Sequence, residues 1–142
     1  MRFQYPVLLT QVQEGGYVVT CRDLPELITQ GEDKQDALDQ ATDAMDEVYA
    51  TYMVEGMDFP TPSKARRREH LVNPPAETMA KAALYVAMRD AGISKMQLAK
   101  QLGVDEKEVR RLLDPHYHSK LPRIAQAISL LGQRLVIGLE SA

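Results

Sequence analysis

Residues 94–113 read SKMQLAKQLGVDEKEVRRLL, and their apolar spacing predicts two short amphipathic helices joined by a tight turn. Ser94 is a helix-capping residue, and Gly103 suits the left-handed backbone conformation in which many helices end. Asp105 lies where it can cap a second helix directly after that turn. Two short helices joined in this way form a helix-turn-helix, a motif that many proteins dock into the major groove of DNA.

The spacing of three residues favours this motif over an ordinary helical hairpin. Ala99 falls where the two helices would cross closely, Gly103 falls in the turn, and Val109 falls where the second helix must bury a side chain. A chance pair of amphipathic helices has no reason to place all three residue types at these offsets. The ordinary hairpin is the alternative against which the DNA-binding interpretation is weighed.

Polar and basic side chains occupy the outer face of the predicted motif and the loop after its second helix. On docking, those of the motif would reach base edges and phosphates, whereas those of the loop would contact the DNA backbone. The candidate DNA-binding residues are Ser94, Lys95, Gln97, Glu106, Lys107, Arg110, Arg111, Ser119 and Lys120.

Charge divides the chain into two unlike halves. Residues 1–60 carry three basic side chains against twelve acidic ones, a net charge of −9. Residues 61–142 carry fourteen basic side chains against eight acidic ones, a net charge of +6. The basic half is suited to a phosphate backbone, and the acidic half is suited to a cationic partner such as a basic protein.

Length and composition are those of an ordinary globular protein. With 142 residues, 44% of them hydrophobic and 26% charged, the chain fits one domain of common size or two small ones. It has no run of about 18 apolar residues and no signal-peptide pattern, so we expect a cytoplasmic protein with no membrane partner. Cys21 lies in an apolar stretch and is expected to be buried rather than nucleophilic.

The acidic half has the pattern of a small sheet covered by one helix. Apolar residues alternate over residues 3–10 and return over residues 17–21, which predicts a β-hairpin. Residues 27–30 and 70–73 are short enough to be a third and a fourth strand. Between these two strands, Asp33 can cap a helix of about five turns whose apolar residues recur at three- and four-residue spacing.

The other face of this helix is acidic, with Asp36, Asp39, Asp43 and Asp46 in line. Such a stripe could suggest metal-binding carboxylates, but metal sites usually draw their ligands from several elements. A solvated face is the favoured interpretation, and attraction of a basic partner is the functional alternative.

Pro74 and Pro75 mark the predicted boundary between a domain of residues 1–73 and a domain of residues 74–142. The second domain should begin with the first helix of a DNA-binding bundle. After the motif and one further helix, residues 135–137 are expected to form a C-terminal strand. Because an isolated strand needs a partner, we expect it to pair with its copy in a homodimer or a dimer of dimers.

Two other patterns raise the question of a metal or an active site. His116 and His118 lie two residues apart, but no second pair of ligands lies near them in sequence. A nuclease could use Asp23 with Asp36 or Asp39 and magnesium, but the sequence shows no assembled nucleophile, base and orienting group. We expect no catalytic residue, no metal and no cofactor, and the nuclease is kept as an alternative.

In this order the features resemble the HicB antitoxins of bacterial HicA–HicB toxin–antitoxin systems, in the subgroup with a Cro/cI-type helix-turn-helix. The matching stretches are the opening hairpin, DLPELITQGEDKQDALDQATDAM (23–45), VNPP (72–75), AGISKMQLAKQLGVDEKEVRRLLDP (91–115) and LLGQRLVIGLE (130–140). The chain departs from the family at Glu26, where a glycine usually follows the proline.

The resemblance implies an α+β fold. A partial ribonuclease-H-like β-β-β-α-β domain would bind and block a HicA toxin, a small basic protein that cleaves messenger RNA. An all-α helix-turn-helix domain with a C-terminal strand would bind the operator DNA of its own operon. The candidate toxin-binding residues are Asp39, Asp43 and Asp46. A stand-alone repressor with an N-terminal ligand-sensing domain is the other alternative.

Overall fold

The computed structural model describes residues 1–141. Its elements are β1 (Tyr5–Gln11), β2 (Tyr17–Thr20), β3 (Ile28–Gly31), α1 (Lys34–Glu55), β4 (Glu69–Val72), α2 (Ala76–Ala91), α3 (Lys95–Leu102), α4 (Glu106–Leu112) and α5 (Leu121–Leu130). The chain forms two compact units, which divide within α2 between Met79 and Ala80. None of the helices described has the length and apolarity needed to cross a membrane.

The first unit is built on a four-stranded antiparallel sheet with the strand order β3-β2-β1-β4. The β1–β2 hairpin turns at Gly15 and Gly16, both of which have positive φ, a conformation that costs glycine little. Strand β4 pairs with the other side of β1, where Tyr5 lies opposite Val72. The hairpin and the two further strands predicted from the sequence are confirmed.

Helix α1 covers one face of the sheet. It begins at the predicted cap, since the Asp33 carboxylate accepts a hydrogen bond from the Asp36 N–H at 2.8 Å. At the end of β3, a Cβ on Gly31 would lie only 2.3 Å from the Ala37 backbone nitrogen, so helix and strand approach more closely than a side chain allows. The buried residues of α1 are Ala37, Ala41, Met45, Tyr49, Ala50, Tyr52 and Met53.

Aromatic rings tie the segment after α1 back onto the helix. The Phe59 ring centroid lies 4.8 Å from that of Tyr49 and 5.4 Å from that of Tyr52. The Tyr52 hydroxyl donates to the Glu26 carboxylate at 2.9 Å, and burial together with this bond raises the pKa of Tyr52 to about 12. Glu26, which departs from the family pattern, therefore fastens the β2–β3 connection to α1.

A second set of polar contacts fastens the end of this segment to the sheet. Arg22 donates to both oxygens of Glu69, at 2.8 and 3.0 Å, and to the Lys64 carbonyl at 2.7 Å. The Glu69 carboxylate also accepts from the Arg66 N–H at 2.7 Å. The bond from Arg22 is the main reason that the pKa of Glu69 falls to about 2. The basic residues just before β4, which are Lys64, Arg66, Arg67 and Arg68, therefore lie in an ordered segment and not in a loose linker.

The second unit is helical. One side chain each from α2, α3, α4 and α5 is completely buried in its core: Leu84, Leu98, Val109 and Ile124. Helix α2 is more deeply buried than its apolar pattern indicated, because Lys81 is also fully buried. The α+β class is thus confirmed, with the sheet before the helical unit.

The predicted C-terminal strand is not formed in the single chain. Residues 135–137 form no strand, and Val136 and Ile137 are 76% and 74% exposed. The physical reason is that a strand needs a neighbouring strand edge for its backbone groups, and the described part of the second unit offers none.

The low pKa of Glu69 predicts a pH-dependent contribution to stability. A carboxyl whose pKa is lower in the folded state stabilises the fold above its unfolded pKa, and this contribution is lost as pH falls toward the folded value. We expect Glu69→Gln to lower Tm by several degrees at pH 7, and to differ less from the wild type as pH falls from about 4.5 to about 2.

Thermal unfolding followed by circular dichroism across this pH range checks the expectation. Glu14→Gln, a neutralised carboxylate at the exposed hairpin turn, is the control and should leave Tm at pH 7 unchanged. A Glu69→Gln protein as stable as the wild type at pH 7 would mean that the Arg22–Glu69 contact contributes nothing.

Candidate nucleic-acid interface and acidic helix face

Helices α3 and α4 are joined by a short turn, and each begins at a side-chain cap. The Ser94 hydroxyl accepts from the Gln97 N–H at 3.1 Å, and the Gln97 side-chain oxygen accepts from the Ser94 N–H at 2.8 Å. This reciprocal pair is a capping box, which satisfies two donors that a helix start leaves free. Gly103 ends α3 with a φ of 71°, and Asp105 caps α4 by accepting from the Glu108 N–H at 3.0 Å. The predicted caps and turn are confirmed.

The capping box restricts what two candidate DNA-binding residues can do. The hydroxyl of Ser94 and the side-chain oxygen of Gln97 are both engaged in it. The amide nitrogen of Gln97 can still donate to a base or a phosphate. Lys95, the first residue of α3, is exposed and has no ion-pair partner among residues 1–141.

The outer face of α4 carries the strongest candidates for contact with phosphates. Arg110 is 60% exposed on its side chain and lies 3.9 Å from Glu106, while Arg111 lies 3.6 Å from Glu108. Exposed pairs of this kind are worth little in water, so they exchange easily for contacts with a polyanion. Lys107 is exposed beside them and forms no ion pair within the described residues. Val109 and Ala99 are buried, as the motif requires.

The loop after α4 is held from inside by a lysine that sequence reasoning missed. The Lys81 ammonium lies 2.9 Å from the Ser119 hydroxyl, and the same hydroxyl lies 3.4 Å from the Arg111 carbonyl. Lys120 is the N-cap residue immediately before α5, and its side chain is exposed. A signal for Lys81 was present, because it is the one charged residue in MAKAALYVAM, the middle of an otherwise apolar helix.

The acidic face of α1 is less uniform than its sequence indicated. Asp36 accepts from the Glu32 N–H at 2.8 Å, and Asp46 accepts from the Thr78 hydroxyl. Asp39 is exposed and accepts from Gln35, whereas Asp43 is exposed with no partner among the described residues. Two of the four carboxylates therefore contribute to internal structure, and Asp39 and Asp43 remain directed toward solvent.

The residues considered for chemistry are used in other ways. Both carboxylate oxygens of Asp23 accept hydrogen bonds from Ser63, at 2.7 and 2.8 Å. Cys21 is buried as predicted, and burial raises the pKa of its thiol, which disfavours the nucleophilic thiolate. Within residues 1–141 no group of three or more His, Cys, Asp and Glu side chains could hold a metal ion.

Residues 4–83 match a family model described as the HicB_like antitoxin of a bacterial toxin-antitoxin system. This match covers the whole sheet, α1 and the start of α2. The chain belongs to the HicB-like antitoxin family. Members of this family are antitoxins and not enzymes. The nuclease alternative is therefore set aside.

Relatives of the whole chain are also HicB antitoxins. Over 132 residues, 93% of this chain and 96% of the relative, it is 33% identical to Antitoxin HicB of Escherichia coli K12. It is 33% identical to Antitoxin HicB of Pseudomonas fluorescens Pf0-1 over 141 residues, 99% of this chain and 96% of the relative. Antitoxin HicB 1 of Photorhabdus laumondii is 31% identical over 137 residues, 96% and 87% of the two chains. These alignments include α3 and α4, which lie outside the family-model match.

The capping box gives a direct prediction for the α3–α4 pair. Ser94→Ala removes the hydroxyl that satisfies the Gln97 N–H, and should lower the free energy of unfolding by about 1 kcal/mol. Urea unfolding followed by circular dichroism measures this loss. Lys95→Ala at the next position is the control and should change stability by less than about 0.5 kcal/mol. Equal midpoints for Ser94→Ala and wild type would contradict the role of the cap.

Proposed function

We propose that this antitoxin binds and inhibits a HicA-type toxin that cleaves messenger RNA, and that it represses its own operon by binding operator DNA. Residues 1–73 are proposed as the toxin-neutralising domain, and residues 74–142 as the DNA-binding and dimerisation domain. We also propose that the first unit, with its β-β-β-α-β order, has a partial ribonuclease-H-like fold. The observation that carries the DNA-binding proposal is the α3–α4 pair.

Three properties of this pair support a helix-turn-helix. Both helices begin at side-chain caps, and a glycine with positive φ forms the turn. Ala99 is 4% exposed and Val109 is fully buried, as a close crossing of the two helices requires. The outer face of α4 presents Lys107, Arg110 and Arg111, which suit base edges and phosphates. With Ser94, Lys95, Gln97, Glu106, Ser119 and Lys120, they form the proposed DNA interface.

The proposal for toxin binding rests on charge. Residues 1–60 have a net charge of −9, and a small basic toxin would be attracted to them. Charge complementarity of this kind raises the association rate and orients the encounter more than it sets affinity. On α1, Asp39 and Asp43 face solvent and are the better candidates for contact, because Asp46 is bonded to Thr78.

The exposed C-terminal segment supports a dimer. Val136, Ile137 and Leu139 are all largely exposed in the single chain. Pairing of residues 135–137 with their copy would bury them and satisfy their backbone groups. A two-fold dimer binds two half-sites separated by about 10 base pairs or a multiple, so we propose an operator with two-fold symmetry.

The DNA-binding proposal predicts the behaviour of a double variant. Arg110→Ala combined with Arg111→Ala should weaken binding to the promoter upstream of its own gene and reduce the dependence of binding on salt. The reason is that each lost phosphate contact lowers the magnitude of the negative slope of log K against log[salt] by about 0.9. Gel shifts at several salt concentrations measure both effects. Arg2→Ala with Lys34→Ala, which removes two cations from the first unit, is the control and should bind as wild type. Undiminished binding of the Arg110/Arg111 variant would refute the assignment.

The neutralisation proposal predicts a division of labour. Residues 1–79, which retain the Thr78–Asp46 hydrogen bond, should protect cells when co-expressed with the toxin encoded beside the gene. A fragment beginning at residue 75 should bind the promoter without protecting cells. Rescue by the second fragment and not by the first would reverse the assignment. A full-length protein that purifies from its native host with no small basic partner would instead favour the sensor alternative.

The acidic face itself is tested by association kinetics. Asp39→Lys with Asp43→Lys should slow association with the purified toxin, and the effect should shrink as ionic strength rises. Glu14→Lys with Glu32→Lys changes the net charge equally at a different place, the hairpin turn and the end of β3. An equal slowing by both pairs would show that net charge acts and that the α1 face is not the contact surface.

A further inference from the structure

A buried ammonium group organises the loop between α4 and α5. Lys81 projects from α2 and is fully buried. Its Nζ lies within hydrogen-bond distance of four acceptors, which share its three N–H groups: the carbonyls of Arg111 at 2.9 Å and Asp114 at 2.6 Å, the carbonyl of Tyr117, and the Ser119 hydroxyl at 2.9 Å. All four acceptors belong to the last turn of α4 and the loop that follows it. One side chain therefore holds nine consecutive residues in a fixed path.

The chemistry of this contact explains why a lysine is needed. The last carbonyls of a helix have no partner within the helix and carry the negative end of its dipole. An ammonium is a compact cation with several donors, so it satisfies carbonyls that converge from different residues. Lys81 and Arg111 also both lie near the Tyr117 ring, 5.9 and 5.1 Å from its centroid. A methionine of similar size would leave the carbonyls of the loop without this donor.

The outer side of the same loop lines a pocket with a cationic wall. The pocket has a volume of about 230 Å³. The side chains that line it are Glu108, Arg111, Leu112, Tyr117, His118, Ser119, Lys120 and Arg123. Its one carboxylate, Glu108, is paired with Arg111 at 3.6 Å. Its basic side chains Arg111, Lys120 and Arg123 are donors that suit a single phosphate group.

We propose that this pocket takes one backbone phosphate of the operator DNA and that Lys81 is its positioning residue. The inference rests on the proposed DNA-binding function and deepens it. Lys81 contacts the Ser119 hydroxyl and so fixes this residue at the pocket. Lys81 also fixes the backbone from which Lys120 reaches the same phosphate.

Burial of the ammonium distinguishes this role from direct contact with DNA. A fully buried cation cannot touch a phosphate, so its removal acts only through the residues that it holds. General destabilisation lowers the fraction of active protein without changing the number of phosphates that each bound molecule neutralises. Loss of a positioned phosphate contact lowers the magnitude of the negative slope of log K against log[salt]. The salt slope therefore separates a positioning role from a purely structural one.

The experiment compares full-length Lys81→Met with wild type on the promoter fragment upstream of the gene, over a salt titration. We expect the magnitude of the negative slope to fall by about 0.9 for one lost contact, which corresponds to roughly eightfold weaker binding at 0.1 M salt. Lys34→Met, an exposed lysine of the first unit, is the control and should match wild type. Adding Lys81→Met to Lys120→Gln should lower the slope no further, because both changes remove the same contact.

Two other outcomes decide against the inference. A Lys81→Met protein with the wild-type slope would show that Lys81 is only structural. If that variant does not fold, the exposed-site variant Lys120→Gln tests the pocket, and an unchanged slope there would overturn it. Failure of the wild-type protein to bind the promoter would instead overturn the proposed DNA-binding function. Wild-type binding together with an unaltered Lys81→Met slope would overturn the inference alone.

Discussion

Helix ends leave backbone donors and acceptors without partners, and in this chain their satisfaction determines where the candidate functional residues lie. Asp33 caps α1 and so fixes where the helix that carries Asp39 and Asp43 begins. Ser94 and Asp105 fix the starts of the α3–α4 pair, whose outer surface is proposed to meet DNA. Loss of one such cap costs about 1 kcal/mol, which matters in a small unit of marginal stability.

The same requirement explains which features were predictable from the sequence. Helix caps act on neighbours three or four residues away, so the local sequence is enough to predict them. The caps in question are Asp33, Ser94, Gly103 and Asp105. The four strands and the order of the helices followed from such signals and from apolar periodicity, and the α+β class was implied by the family resemblance. A resemblance over nearly the whole length then supplied the family, which the comparisons confirmed.

The features that escaped prediction depend on partners distant in sequence or on another chain. Lys81 bonds residues 30 to 38 positions away, and Arg22 bonds Glu69 across 47 positions. No local pattern encodes such distances. The apolar run at residues 135–137 indicated a strand. Strand formation also needs a neighbouring strand edge, which the described residues of the helical unit lack.

In the first unit, hydrogen bonds within the fold limit how many of the carboxylates are available for direct contact with a partner. A net charge of −9 over residues 1–60 suggests one uniform attractive surface, yet the carboxylates of Asp23, Asp36 and Asp46 accept hydrogen bonds within the fold. Such groups still contribute to the long-range field that steers a cationic partner. They are less available for direct contact, since contact would require exchange of an existing bond. Attraction of the toxin would thus involve the whole unit, whereas its close contacts would be confined to carboxylates such as Asp39 and Asp43 that face solvent.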